Sequence, residues 1–225
     1  MDKAQFIHKL REGALQLGIT LSAEIGEQFF AFGEHLQKWN KKVNLTAIID
    51  PEEMLEKHFL DSLAPLPTMR GGTLLDLGTG AGFPGIPMKL ARPDLAVTLV
   101  DSSVRKVAFL KSALSMLGIK EGARAIAARA QGNPELEGIP KAAIVVSRAL
   151  QEPRAWILLA EAYVKPGGEA LAMLGPTGTQ LLAEIASQMG RVPQMLPYSL
   201  PFSHARRVLA VFRFERDVPR GTSAC

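Results

Sequence analysis

The stretch TLLDLGTGAGFPG, Thr73 to Gly85, holds the residues whose types and spacing could do chemistry. An apolar run ends in Asp76-Leu77-Gly78, and a helical pattern begins soon after. Glycines at 78, 80 and 82 let the chain turn sharply and let a ligand approach the backbone with no Cβ in the way. The helix that follows offers free N–H groups at its start. Gly80, Gly82 and Gly85 satisfy the GxGxxG spacing of dinucleotide-binding loops. The GxGxG register from Gly78 is better placed, because Gly78 comes straight off the strand and Asp76 precedes it. A carboxylate there suits the ammonium of a methionine moiety and sits badly beside a pyrophosphate. Pro84 and Pro87 also remove N–H donors that phosphate would need. The loop therefore points to S-adenosylmethionine rather than NAD. Asp101 closes the run AVTLVD, where a carboxylate can accept hydrogen bonds from both ribose hydroxyls; it could equally cap the next helix. Phe83 is either a core aromatic or a cofactor contact.

The methyl acceptor narrows by elimination. Carbon-5 methylation of a pyrimidine needs a cysteine nucleophile, and the one cysteine, Cys225, lies in a tail-like segment. Amino-group methylation commonly uses an Asn/Asp-Pro-Pro-aromatic tetrad after the fourth strand, where this chain has Ser147-Arg148-Ala149. A ring nitrogen with a free lone pair, such as guanine N7, needs no base, only alignment and electrostatics. Arg148 is the candidate catalytic residue, through a hydrogen bond to guanine O6 or by stacking. The plainer reading makes it a surface ion-pair arginine.

These residues need elements to hold them. After Gly72, short β-rich runs alternate with helical stretches. Thr73–Leu77, Ala96–Val100, Ala123–Ala128, Ala142–Ser147 and Glu169–Leu174 read as strands. Gly85–Ala91, Val104–Leu117, Pro153–Val164 and Thr179–Met189 read as helices. That alternation predicts an α/β doubly wound, parallel sheet. Two further β-like stretches follow, Gln194–Leu200 and Val208–Phe214. Before the break at Pro65–Gly72, the spacing predicts three helices, with Ser22 and Asp50-Pro51 as start signals. The expected units are a helical cap over 1–70, a methyltransferase domain over 71–216 and a flexible tail over 217–225.

Composition bounds the setting. A chain of 225 residues with 47% hydrophobic content suits a globular protein. No run reaches the ~20 apolar residues of a membrane helix, and the N-terminus lacks a signal-peptide centre. One cysteine and four scattered histidines argue against disulfides and against a metal site. The expectation is a cytoplasmic protein without a metal, and a monomer. The net charge of +4 fits an acidic partner such as RNA. Lys38, Lys41 and Lys42, with Arg206 and Arg207, are the candidate RNA-binding residues; Arg213 and Arg216 lie near the latter pair. The alternative is an ordinary solvated face.

The block KWNKKVNLTAIIDPEEMLEKHFLDSL, Lys38 to Leu63, followed by DLGTGAGFPGIP and the Ser147-Arg148-Ala149 triplet, resembles the glucose-inhibited division protein B family, also called ribosomal RNA small subunit methyltransferase G. The resemblance runs from about Leu36 to Ala149 and continues weakly to the end. It implies a class I, Rossmann-like methyltransferase fold with a mostly parallel sheet, an antiparallel last strand and an N-terminal helical cap. It also implies methylation of N7 of one guanine in 16S ribosomal RNA, as RNA or within the small ribosomal subunit. By the same resemblance, Gly78, Phe83 and Arg148 contact S-adenosylmethionine, Asp101 is the ribose acid, and Ala130 and Gln131 lie by the adenine. The family usually has a glutamate where Gln131 stands, and a lysine where Leu174 stands. Asn44, His58 and Asp61 are candidates to border the pocket or to hold the cap together, and Trp39 either packs or stacks on RNA. Two other classes compete. A nicotinamide oxidoreductase would need a motif such as a Tyr-Lys pair, which neither Tyr163 nor Tyr198 supplies. A non-catalytic RNA-binding module would not need the intact Asp76–Gly82 loop or Asp101.

Overall fold

The computed structural model describes residues 1–148 and 152–214. Ala149, Arg216, Cys225 and the expected tail over 217–225 lie outside the described residues.

Polar caps set where the N-terminal helices begin. Asp2 and Gln5 form a reciprocal capping box at α1 (Lys3–Gln16). The Ser22 hydroxyl accepts from Ile25 N at the start of α2 (Ala23–Asn40). Asp50 accepts from the backbone N–H groups of Glu52 and Glu53 at α3 (Pro51–Met54). The third helix departs from the simple expectation: Leu55–Leu60 is wound as a π-helix before α4 (Asp61–Leu63). From Met54 to Leu63 every residue but Lys57 is buried, including Glu56, His58 and Asp61.

The rest of the chain alternates strand and helix. Its elements are β1 (Thr73–Leu77), α5 (Gly85–Ala91), β2 (Ala96–Asp101), α6 (Val104–Met116), β3 (Ala123–Ala127), α7 (Pro134–Glu137), β4 (Ala142–Arg148), α8 (Pro153–Tyr163), β5 (Val164–Leu174), α9 (Pro176–Gln188), β6 (Gln194–Ser199) and β7 (Arg206–Arg213). The strands form one sheet in the order β3-β2-β1-β4-β5-β7-β6. Neighbours from β3 to β5 pair in parallel, and β7 runs antiparallel to β5 and to β6. This is the expected mostly parallel, doubly wound sheet with an antiparallel last strand. The order reverses between β1 and β4, and ligands of such sheets bind beyond the strand C-termini at that switch point.

Two hydrophobic clusters cover the two faces. Trp156, Ile157, Tyr163, Leu182 and their neighbours bury one face under α8 and α9. The other cluster is shared between the N-terminal helices and the sheet with α5 and α6. Phe59 stands at its centre, with ring centroids 5.5 Å from Phe29, 5.8 Å from Phe6 and Phe32, and 5.6 Å from Phe83 of the glycine loop. The N-terminal helices are thus seated on the loop that the sequence marks for ligand binding.

Candidate functional site

The glycine loop is braced from below. Asp76 is fully buried, and its Oδ2 accepts from Thr79 Oγ1 at 2.6 Å and from Gly85 N at 2.8 Å. Its Oδ1 is buried without a hydrogen bond among the described residues. Burial, only partly offset by those hydrogen bonds, pushes its carboxyl up to about 6. Asp76 therefore spans the loop from strand end to helix start, and its side chain does not face the cavity above.

The glycines divide into two pairs. Gly78 and Gly80 have φ of +71° and +59°, and a Cβ on either would meet no protein atom within 4 Å. They face the space a ligand would fill. Gly82 also has a positive φ, but a Cβ there would stand 2.6 Å from Ile86. A Cβ at Gly85 would collide with Leu99. These two let the loop pack on α5 and the sheet. Gly78→Val should therefore abolish binding of S-adenosylmethionine at a stability cost of roughly 1–3 kcal/mol from the left-handed backbone. Gly82→Val should instead lower the melting temperature much more, through overpacking. Calorimetric titration beside thermal melting separates the two; equal losses in both variants would refute the division.

Asp101 joins the loop to the next helix. Its Oδ2 accepts from Gly80 N at 3.0 Å and its Oδ1 from Ser103 N at 2.8 Å, with Lys106 Nζ 3.9 Å away. Above these residues is a cavity of about 460 Å³ at the ends of β1, β2 and β4. Gly78, Asp101, Ala130, Ser147, Arg148 and Trp156 are among its lining residues. Its size suits a nucleoside-sized ligand.

Other expected contacts lie elsewhere. The Phe83 ring is buried among Phe32, Phe59 and His58, and the Arg148 guanidinium lies 5.3 Å above it. Phe83 is not among the lining residues. Gln131 is exposed, and its backbone N–H is held by Glu137 Oε1 and the Tyr163 hydroxyl. Tyr163 in turn donates to Glu137, and both groups also hold N–H groups of residues 132 and 133. This fixes the loop that bears Ala130 without using the Gln131 side chain.

A second cavity, of about 480 Å³, opens between the N-terminal helices and the sheet. It is lined by Ile48, His58, Asp61, Leu174, Tyr198 and Arg207 among others, and Arg148 is the one residue among those described that lines both cavities. Arg148 Nη1 donates to Lys57 O at 2.9 Å, and Nη2 donates to His58 Nδ1 at 3.1 Å. An arginine can only donate, so Nδ1 must be the bare nitrogen, and Nε2–H donates to Thr46 Oγ1 at 2.8 Å. Burial and the neighbouring Arg148 hold His58 down at about 3, so it stays neutral at physiological pH. Its ring stacks on Phe83, with centroids 4.5 Å apart.

Asp61 is buried in the wall of the second cavity. Its Oδ1 accepts from the Tyr198 hydroxyl at 2.8 Å, with Arg207 Nε 3.8 Å away. Its Oδ2 lies 3.9 Å from Arg148 Nη1. Burial raises the Asp61 carboxyl above the usual range, and burial beside Asp61 raises the Tyr198 hydroxyl. Glu56 accepts from Phe202 N and Ser203 N, which ties the β6–β7 connection to the N-terminal helices.

Lys38, Lys41, Lys42 and Arg206 are exposed, whereas Arg207 turns toward Asp61. Asn40 accepts from Leu45 N and Thr46 N, and so shapes the loop that carries Lys41, Lys42 and exposed Asn44. Trp39 packs on Phe109. Sequence reasoning did not single out Glu56 or Tyr198. Glu56 did leave a signal: it stands three, four and seven residues before Phe59, Leu60 and Leu63, a charge on an apolar helix face. Tyr198 left none.

The family model described as rRNA small subunit methyltransferase G matches residues 25–207. The chain is 52% identical over 218 residues to a Myxococcus xanthus protein named Ribosomal RNA small subunit methyltransferase G, covering 96% of this chain and 100% of that one. A protein of the same name from Anaeromyxobacter dehalogenans is 43% identical over 219 residues, with the same coverage. Among solved structures, a methyltransferase from Pyrococcus furiosus matches with a TM-score of 0.58 at 14% identity, covering 82% of this chain and 97% of that one. An S-adenosylmethionine-dependent methyltransferase from Aquifex aeolicus gives 0.55 at 16% identity, covering 80% and 97%. The structural likenesses speak for the fold, and the sequence matches for the family.

Proposed function

The chain belongs to the rRNA small subunit methyltransferase G family, and we propose that it transfers the methyl group of S-adenosylmethionine to N7 of a guanine in 16S ribosomal RNA. The single observation that carries the geometry of this reading is Arg148. It lines both the cavity above the glycine loop and the cavity under the N-terminal helices.

The residues of the first cavity fit the cofactor. The open side of Gly78 and Gly80 is a cradle that a Cβ would fill, and Asp101 presents a carboxylate suited to ribose hydroxyls. Ala130 borders the space where the adenine would lie. Bound there, the cofactor supplies a sulfonium methyl group to an attacking lone pair. The protein orients that attack and keeps water out. Guanine N7 carries its lone pair free, so no side chain removes a proton first. Arg148 spends two N–H groups on Lys57 O and His58, which leaves three of its five for the base. Its N–H groups would hold O6 and so keep N7 in line with the methyl group. Nothing in the comparisons supports the oxidoreductase reading.

RNA would approach across the exposed Lys38, Lys41 and Lys42 on one side and Arg206 and Arg207 on the other. No helix among the described residues is long and apolar enough to cross a membrane, and no group of three or more potential metal ligands occurs among them. We take the enzyme to act as a monomer in the cytoplasm, on the RNA or on the small subunit.

The function is tested by cleaving ribosomal RNA at N7-methylguanine with borohydride and aniline. One cleavage should vanish in cells lacking the protein and return when the purified protein and S-adenosylmethionine are added. An unchanged pattern would refute the assignment. The RNA face is tested by salt: log affinity should fall linearly with log salt, as counterion release requires. Charge reversal of Lys41 and Lys42 should flatten that slope by roughly two, about one for each phosphate no longer neutralised, and leave cofactor affinity alone. A flat salt titration of the wild type would make the patch a solvated face.

A further inference from the structure

The second cavity contains an acid that the methyl-transfer geometry leaves unused. Asp61 is 5% exposed, yet it lines this cavity. Its Oδ1 is held by the Tyr198 hydroxyl, while Oδ2 accepts no hydrogen bond from a described residue and has Arg148 Nη1 only at 3.9 Å. A buried carboxylate with open acceptor capacity seeks donors.

We propose that Asp61 reads the Watson–Crick edge of the target guanine, accepting from N1–H and from the N2 amino group. This rests on the guanine-N7 reading above and names the residue that selects the base. Guanine alone among the four bases presents two adjacent donors on that edge. A bidentate carboxylate matches them, with Oδ2 and the second lone pair of Oδ1 as the acceptors. Adenine would turn its bare N1 lone pair toward the same charge and be repelled. Cytosine and uracil each present at most one donor next to an acceptor.

The order of groups in the wall fits the order of atoms around the base. Arg148 stands between Asp61 and the cofactor cavity, as O6 stands between N1 and N7 on the guanine ring. A base with N1 and N2 on Asp61 brings O6 to Arg148 and turns N7 toward the first cavity. The carboxylate also opposes the positive charge that the ring gains on methylation. Tyr198 fixes the orientation of Asp61, and Arg207 Nε lies 3.8 Å from the same oxygen. Tyr198 is therefore a positioning residue.

Inosine is the probe, because it differs from guanosine only by the absent N2 amino group. RNA carrying guanosine or inosine at the target position is methylated under single-turnover conditions with saturating S-adenosylmethionine. For the wild type, inosine should react roughly 10- to 100-fold more slowly, the loss of one hydrogen bond to a charged acceptor. Asp61→Asn should slow the guanosine substrate and bring the guanosine-to-inosine ratio close to one. Tyr198→Phe should shrink the ratio part of the way. Cofactor affinity and melting temperature are measured for each variant. If Asp61→Asn fails to fold, the wild-type ratio and Tyr198→Phe still decide. Equal wild-type rates on the two substrates would overturn the proposal, as would an undiminished ratio in a folded, slower Asp61→Asn. Failure of the wild type to methylate guanosine RNA at all would instead overturn the guanine-N7 reading on which it rests.

Discussion

Arg148→Lys is expected to lower the single-turnover rate of methyl transfer by roughly 30- to 1000-fold, the equivalent of about 2–4 kcal/mol of transition-state stabilisation. Lysine keeps the positive charge, so a role for charge alone would leave the rate nearly intact. The guanidinium, however, is planar and makes directed contacts at once: Lys57 O, His58 Nδ1 and the face of Phe83. An ammonium on a flexible stem cannot hold those and still present aligned donors to the base. Cofactor affinity should change much less, because Asp101 and the open face of Gly78 remain. From about pH 7 to about pH 8.5 the wild-type rate should stay nearly flat, since no base must be deprotonated. A tenfold rise per pH unit would mean that a base takes part. Wild-type rates in Arg148→Lys would remove the residue from the mechanism.

How much of the fold and the site is legible in the sequence depends on the range of each interaction. The helix starts at Ser22 and Asp50 and the strands of the parallel sheet are written in local signals, and the structure places them within a residue of the reading, except that β5 begins at Val164 rather than Glu169. The glycine loop is legible for the same reason, and Ala130 does border the cavity. Direction is not legible. Whether the Asp76 side chain points up to a ligand or down into the loop depends on Thr79 and Gly85 folding back over it. The sequence leaves both places open for Phe83, and the choice is made by Phe32 and Phe59, far away in the chain. Arg207 and Arg206 are adjacent and equally basic, yet strand alternation sends one toward Asp61 and leaves the other exposed. The pairing of Tyr198 with Asp61 spans 137 residues and leaves no periodicity or spacing to detect.

The largest stability effect is expected at Phe59. Its ring is fully buried and makes aromatic contacts with Phe6, Phe29, Phe32 and Phe83. Edge-to-face pairs add to the area term at such a site. Truncation to alanine leaves a ring-sized void between two rigid layers, so collapse is poor and the cost should be about 3–5 kcal/mol. For a domain of this size, that amounts to a fall of roughly 6–20 °C in melting temperature. Phe202, which is partly exposed at the β6–β7 connection, is the control, and its alanine variant should melt near the wild type. The effect should also reach the chemistry. Phe59 packs on Phe83, Phe83 supports the His58 ring, and His58 holds Arg148. Even well below its melting temperature, Phe59→Ala should therefore slow methyl transfer, while cofactor binding, which rests on Gly78 and Asp101, should persist. Chemical denaturation together with single-turnover kinetics tests both halves. A folded variant with the wild-type rate would show that Arg148 keeps its place without the aromatic column beneath it.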